Sequence, residues 1–336
     1  MKERKPLVSI IIVNWNGGEV FQKCLESLSE IDYRNTELIV VDNGSTDGSE
    51  KLAKKAKIIK NKKNLGFAPA NNQGFKISKG EYVLLLNNDT VVNKDFLSKL
   101  IERMEQDETI GVLQPKIFMM RKKGRLDNAG SFFTRIGFLE HWGFDKKDGK
   151  EFQEEREIFS AKGACMLIRR EVIEKVGLFD ADFGSYFEES DFCWRVWMNG
   201  WRILFYPKAK IHHKIGYTIR RLNVREMNYD YYRNRISSLI KNLTTKNLIY
   251  ILPVHIIISV GISFMFFIKL KYKNALMILK AIAWNLLNIE KTLKKRATIQ
   301  SQRAVSDDEI FAKLAHKIDW LKYYKDFRRV EEDIER

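Results

Sequence analysis

Cysteine is scarce in this chain of 336 residues: only Cys24, Cys165 and Cys193 are present. An odd number without metal-ligand spacing excludes a disulfide framework and a zinc knuckle, and a reducing compartment is its simplest home. With five prolines and 19 glycines there is no Pro-rich or Gly/Ser-rich linker, and no internal repeat or low-complexity tract stands out. A secretory leader is not expected either. The first apolar stretch, 7–13, is interrupted by Ser9 and stops at Asn14-Trp15-Asn16, so it reads as a buried strand. The Gly-x-Gly-x-x-Gly that a dinucleotide oxidoreductase needs after its first strand is missing. Asn14-Trp15-Asn16-Gly17-Gly18 also lacks the Arg or Lys of a sugar nucleotidylyltransferase's phosphate loop.

What is present is apolar: 45% hydrophobic and 12% aromatic residues supply packed cores and exclude an intrinsically disordered chain. At roughly 150 residues per domain, the length predicts about two domains. The net charge of +16, from 59 Lys and Arg against 43 Asp and Glu, signals an anionic partner: nucleic acid, anionic lipid or a phosphorylated ligand. That excess is local. Residues 192–300 hold 20 Lys and Arg against three Asp and Glu, and the remainder is close to neutral.

The first half alternates β-branched runs with helix-length segments. Strands are predicted at 8–13, 38–41, 58–59 and 82–86. Helices are predicted where Val20, Cys24 and Leu28 share a face, near 71–79, and where Phe96, Leu100 and Met104 recur. Continuous apolar strands between helices imply a sheet buried on both faces, hence an α/β domain with parallel strands and ligands at their carboxyl ends. Residues 121–157, with five glycines scattered among charges, read as a long mobile loop or a short hairpin insertion. Order returns at 163–168 and 201–206, either side of a helix starting near Ser190.

Further on, residues 247–268 run without Lys, Arg, Asp or Glu, long enough to cross a bilayer as one helix. Pro253, His255, Ser259, Gly261 and Ser263 interrupt the run, and both flanks are basic: Lys246 before, Lys269, Lys271 and Lys273 after. Positive residues prefer the cytoplasmic face, so this symmetry favours a re-entrant or in-plane segment over a clean span. Residues 275–289, apolar with Lys280 inside, have the pattern of an interfacial helix. The alternative is a buried helical hairpin that packs on the preceding domain or forms a dimer.

Five polar clusters follow the predicted strands. Asp42-Asn43-Gly44-Ser45-Thr46-Asp47 sets a carboxylate where it can accept from a ribose or base, followed by turn and N-cap residues. In Asn64-Leu65-Gly66 through Asn71-Asn72-Gln73-Gly74, amides can read a nucleobase edge. Asn87-Asn88-Asp89 ends an apolar strand in three oxygen-bearing side chains, a hard-oxygen site suited to Mg²⁺ or Mn²⁺ on a diphosphate. Glu188, Glu189 and Asp191 repel one another, which raises the pKa of at least one toward that of a general base. Their alternative role is to favour the dipole of a helix capped by Ser190. His212 and His213 follow the 201–206 strand, and one can complete a metal site begun by Asp89.

The ordered series VSIIIVNWN, VVDNGSTDGS, NLGFAPANNQG, LLLNNDT, GACMLIRR, VGLFDADFGSYFEESDFCWR, GWRILFYP and HHKIG resembles glycosyltransferase family 2, in particular its rhamnosyltransferase-like branch, over roughly residues 6–245. The resemblance implies the GT-A fold, a mostly parallel α/β sheet flanked by helices, and the apolar, basic tail adds a C-terminal helical, membrane-associating extension. The expected domains are a catalytic one over 1–220, with a nucleotide-binding half at about 1–115 and an acceptor half 116–220, and, from composition, a basic helical extension over 221–336 with the apolar segment 247–268. Its enzymes invert configuration while moving a sugar, here rhamnose or another hexose, from a nucleotide-diphosphate donor to a hydroxyl of a glycan or lipid-linked saccharide.

Carried over residue by residue, Asp42 would hold the base or ribose, with Asn14, Asn16 and Asn71 nearby and Asn88 beside the donor. Asn87-Asn88-Asp89 takes the family's Asp-x-Asp place with Asn87 for its first acid, so the divalent metal would rest on Asp89 and His213. Glu189 stands where the family's base does, and the proton goes to Glu189 or Asp191. Gly163-Ala164-Cys165 would line the acceptor side. The basic, apolar tail then implies work in cell-surface polysaccharide synthesis at the cytoplasmic face of the cell membrane. Processive synthases of this family carry a Gln-x-x-Arg-Trp motif that is absent here. A non-catalytic sugar-nucleotide-binding relative is disfavoured by the carboxylates at both chemical positions. A nucleic-acid-binding protein is disfavoured because the basic residues accompany an apolar segment and no recognition motif.

Overall fold

The computed structural model describes residues 5–214 and 224–317. Ile215 and Gly216 of the HHKIG motif, and residues 318–336 of the extension, lie outside the described residues. The apolar runs become strands because β-branched side chains pack well on both faces of a pleated sheet. β1 (Val8–Asn14), β2 (Thr36–Asp42), β3 (Lys57–Lys60) and β4 (Tyr82–Asn87) lie parallel in the order β3-β2-β1-β4. α1 (Gly18–Ser29) follows β1, and α2 (Phe67–Ile77) precedes β4. α2 begins earlier than its periodicity predicts, since Pro69 falls in the first turn, where a missing N–H costs nothing.

β5 (Thr90–Val92) leads to α3 (Phe96–Glu105), whose Phe96, Leu100 and Met104 share a core with Ile10 and Ile12 of β1 and Cys24 of α1. β6 (Ile110–Met119) continues the sheet. Beyond it, the stretch read as a loop is folded. β7 (Leu126–Asn128) pairs with β6, and β8 (Ser131–Thr134) and β9 (Leu139–His141) form the hairpin alternative. Its glycines mask an aromatic core, for Phe132, Phe133, Phe138, Trp142 and Phe152 are all buried. β10 (Arg156–Glu157) edges the sheet. β11 (Cys165–Arg169) runs antiparallel to β4 and β6, so the sheet is mixed where mostly parallel strands are expected.

α4 (Arg170–Val176) and α5 (Glu188–Met198) precede β12 (Arg202–His213). The N-cap of α5 is Phe187, and Ser190 does not cap it; its hydroxyl lies 3.0 Å from that of Ser160. β12 is twice as long as predicted, with an irregularity between Tyr206 and Lys210, and therefore carries His212 and His213 on the strand itself.

The extension is helical: α6 (Val224–Asn242), α7 (Thr245–Ile268), α8 (Tyr272–Leu287), α9 (Ile289–Ser301) and α10 (Asp307–Leu314). It returns to the acceptor half, where β13 (Ala315–His316) adds to β8 and Phe311 stacks on Phe133 with ring centroids 4.8 Å apart. α7 is long and apolar enough to cross a membrane by length and composition alone, and less than a third of it is buried. Its polar residues turn inward beside buried Ile251 and Phe266, leaving much of its apolar surface outside. His255, Ser259 and Ser263 are buried, whereas Ile249, Ile257 and Phe264 are exposed, continuous in kind with exposed Leu276, Leu279, Leu286 and Leu287 on α8.

Candidate functional site

The parallel register sets Asn14 beside Asp42 at the carboxyl ends of β1 and β2. Asn14 Nδ2 donates to Asp42 Oδ1 at 3.2 Å and to Ser49 Oγ at 2.9 Å, and Asn14 Oδ1 accepts from Asn88 Nδ2 at 3.0 Å. Asp42, Asn14 and Asn88 thus form one buried hydrogen-bonded line across three adjacent strand ends. Gly17 is required beside it, because a Cβ there would meet Asn14 Oδ1 at 2.3 Å and Asn88 Nδ2 at 2.8 Å. Asn16, at φ +50°, accepts from Thr46 N at 2.7 Å and so pins the turn after β2. Asn71 is buried on α2, with its amide spent on the Phe67 carbonyl one turn earlier.

Next along the same edge stand Asp89 and His213, both buried, with Asp89 Oδ1 3.1 Å from His213 Nε2. The other imidazole nitrogen is 2.8 Å from Asp127 Oδ2, and Asp127 Oδ1 accepts from Lys162 Nζ at 2.7 Å. Burial alone would depress the His213 pKa, but Asp89 and Asp127 together raise it to about 9. Asp89 and His213 have the chemistry to hold a divalent cation only once the His213 ring gives up its Nε2 proton. Asp89 Oδ1 is buried without a hydrogen bond aligned on it, and Asp127 fixes the ring so that Nε2 faces the same point. Among the described residues no third His, Cys, Asp or Glu completes a cluster, so further ligands would be diphosphate oxygens and water.

The three acids of the α5 cluster part company. Glu189 Oε2 is buried without a hydrogen-bond partner. Burial raises the Glu189 carboxyl above its ordinary value, opposed by its backbone N–H and by Lys162. A Cβ on Gly163 would lie 3.9 Å from Glu189 Cδ and 3.5 Å from the Phe67 ring, so the start of α2, the start of α5 and the turn before β11 come together at this carboxylate. Glu188 is buried too, and burial together with the neighbouring Glu189 raises its carboxyl well above the usual range. Asp191 is fully buried with both oxygens engaged: Arg195 Nε at 3.2 Å, Lys241 Nζ at 3.1 Å and Asn242 Nδ2 at 2.9 Å. Burial would raise the Asp191 carboxyl, yet Lys241 and Arg195 hold it below its ordinary value. Of the acceptor-side trio, Gly163 faces Glu189, while Ala164 and Cys165 are buried in the sheet, where Asn87 N donates to Ala164 O at 3.0 Å.

Sequence reasoning did not single out Asp127, Lys162 or Lys241. The first lies in the segment read as a loop or hairpin insertion, and Lys241 in the extension; Lys162 adjoins the GACMLIRR motif and was legible only by that adjacency.

Residues 9–177 match the profile described as "Glycosyl transferase family 2". The chain is 30% identical over 200 residues to low-salt glycan biosynthesis hexosyltransferase Agl10 of Haloferax volcanii, covering 56% of this chain and 61% of that protein. It is 24% identical over 208 residues to poly-beta-1,6-N-acetyl-D-glucosamine synthase of Staphylococcus aureus, covering 60% of this chain and 48% of that one. It therefore spans about half the length of the curated relatives it matches. Among solved structures, GalNAc-T7 with UDP, GalNAc and Mn2+ superposes with a TM-score of 0.60 at 17% identity, over 74% of this chain and 50% of that one, a likeness of the GT-A fold. The profile match takes in the strand ends that carry Asn14, Asp42 and Asp89 and stops before Glu189 and His213; over half its length, the chain belongs to glycosyl transferase family 2.

Proposed function

We propose that the chain is an inverting, metal-dependent glycosyltransferase that moves a hexose, rhamnose or another, from a nucleoside diphosphate to a hydroxyl of a lipid-linked saccharide or glycan. The observation that carries this reading is Glu189 Oε2, buried without a hydrogen-bond partner as Glu188 Oε2 also is, in the carboxyl group that lies against Gly163 and near Phe67. The relatives named for glycan and polysaccharide synthesis, and the UDP and Mn2+ of the superposing structure, support the donor class.

In this reading the nucleotide lies over the Asp42-Asn14-Asn88 line, with its diphosphate toward Asp89. Asp89 and His213 would hold Mg²⁺ or Mn²⁺, which when bound neutralises charge growing on the leaving diphosphate. The acceptor O–H gives its proton to Glu189 Oε2 as the oxygen bonds to the anomeric carbon. The bond from that carbon to the diphosphate oxygen breaks on the opposite face, and the nucleoside diphosphate departs. Asp191, with both oxygens engaged, is a positioning residue and not the proton acceptor. α6 joins the catalytic unit through Lys241 and Asn242. The exposed apolar faces of α7 and α8, with Lys269 and Lys271 between them and Lys273 in the first turn of α8, suit an in-plane seat on the cytoplasmic leaflet, near a lipid-carried acceptor.

The test is calorimetric or thermal-shift binding of UDP, GDP, dTDP and CDP, each with Mn²⁺, with Mg²⁺ and with EDTA. Metal-dependent binding of one nucleotide is expected. Binding of none would overturn the donor site and leave a non-catalytic relative.

A further inference from the structure

Tyr186 and Phe187 both hold φ at +70°, and Gly184 ahead of them stands at +54°. Two consecutive side-chain-bearing residues in the left-handed region persist only where their surroundings over-determine them. The carbonyls of this loop reveal the restraint. Those of Phe183, Ser185 and Tyr186 converge on Asn234 of α6, whose Nδ2 lies 3.0, 2.9 and 2.7 Å from them. An amide nitrogen offers two hydrogens, so at least one is shared, and the three oxygens stay together only while that nitrogen stands between them. Asn234 is fully buried, and its Oδ1 accepts from Arg233 Nε at 2.9 Å. Arg233 in turn donates to the Asp182 carbonyl at 3.1 Å.

The residues that follow this clamped loop are Glu188 and Glu189. Its other side holds the start of α2: Ala68 N donates to Gly184 O at 2.8 Å, and Phe67 N to Ser185 Oγ at 3.1 Å. The loop is therefore the joint between donor-side α2, the carboxylate at the meeting point, and the first helix of the extension.

We propose that Asn234 is a positioning residue for Glu189: its amide holds the left-handed Tyr186-Phe187 turn and thereby sets the Glu189 carboxylate against Gly163. The inference rests on the reading of Glu189 as the base. It makes the chemistry depend on α6, an element the sequence assigns to the extension.

The experiment measures nucleoside diphosphate release from UDP-, GDP-, dTDP- and CDP-hexoses, with water as acceptor, by the full chain and by Asn234→Ala, Glu189→Gln and the double variant. Displacing a catalytic group by about 1 Å costs roughly 10²-fold. Asn234→Ala should therefore lower kcat by about that factor and lower the melting temperature, since buried carbonyls lose their donor, while the folded variant keeps Mn²⁺-dependent nucleotide affinity, and it should shift the acid limb of the pH profile. The double variant should be no slower than Glu189→Gln alone, because a residue acting through Glu189 has nothing left to position. Asn234→Gln, which keeps both N–H donors, should recover part of the loss; it also stands in if the alanine variant does not fold. A folded Asn234 variant with unchanged kcat and pH profile, beside an impaired Glu189→Gln, would overturn the positioning role alone. Full activity in Glu189→Gln, or no turnover by the parent chain, would overturn the base reading and this inference with it.

Discussion

His213 Nε2 faces Asp89 Oδ1 at 3.1 Å, and the backbone sets the approach, because His213 on β12 is registered against Thr90 of β5, the residue after Asp89. Asp127 then orients the imidazole from behind at 2.8 Å. Hydrogen bonds to a metal ligand's far nitrogen typically carry about 10- to 100-fold in metal affinity. Asp127→Asn should weaken Mn²⁺-dependent nucleotide binding by about that factor, and Asp89→Ala should weaken it further. Calorimetry with Mn²⁺ and with EDTA checks this. Chelation should erase the difference between parent and variants, and a difference that persisted in EDTA would place their effect elsewhere.

A positioned base contributes roughly 10²- to 10⁴-fold. Glu189→Gln should slow turnover by about that much and leave nucleotide affinity unchanged. Only the ionised carboxylate accepts the proton, and burial raises this carboxyl above the ordinary 4.5. Activity should therefore fall as pH drops, with the acid limb of kcat/KM above 4.5. A flat profile across that range would exclude Glu189 as the titrating group.

The strand ends were readable because apolar runs stop abruptly on Asp42 and Asn88-Asp89, and a buried strand has few reasons to end that way. The partners of those residues were not readable. Asn14 and Asn16 look like ligand-facing amides in one dimension, yet one spans Asp42 and Asn88 and the other pins Thr46. Asp127 and Lys241 acquire meaning only through contacts distant in sequence. The aromatic core of 121–157 was hidden by glycines and charges that interrupt any period of two.

Lys241 is 1% exposed and pairs with Asp180 at 2.6 Å and Asp191 at 3.1 Å. Removing one partner of a buried pair costs about 3–5 kcal/mol. Lys241→Met should destabilise by the lower end of that range, since Lys295 also serves Asp180, and adding Asp191→Asn should restore part. Urea unfolding reads both. Asp180 and Asp191 are each held below 3.8, burial being outweighed by the lysines and, for Asp191, also Arg195. The stability they contribute is present above that unfolded value and is lost as pH falls below it.

Truncation at Thr244 would confound a membrane test. α9 and α10 are fastened to the catalytic unit: Gln300 Nε2 donates to the Lys241 carbonyl at 2.8 Å, Lys295 to Asp182 at 2.6 Å, and Phe311 stacks on Phe133. Removing them disturbs the fold as well as any lipid contact. Substitution on the outer face separates the two, because Ile257, Phe264 and Leu279 are already exposed to solvent and contribute little to folding. Each apolar side chain buried in lipid gains about 1.5–3 kcal/mol. Ile257→Glu, Phe264→Glu and Leu279→Glu together should reduce flotation with anionic vesicles by about 10³-fold or more, at an unchanged melting temperature. Raising salt should weaken only the contribution of Lys269, Lys271 and Lys273, about 1 kcal/mol each. Equal flotation of parent and triple variant would exclude this face as the lipid contact, leaving the charge alone to account for any binding that salt abolishes.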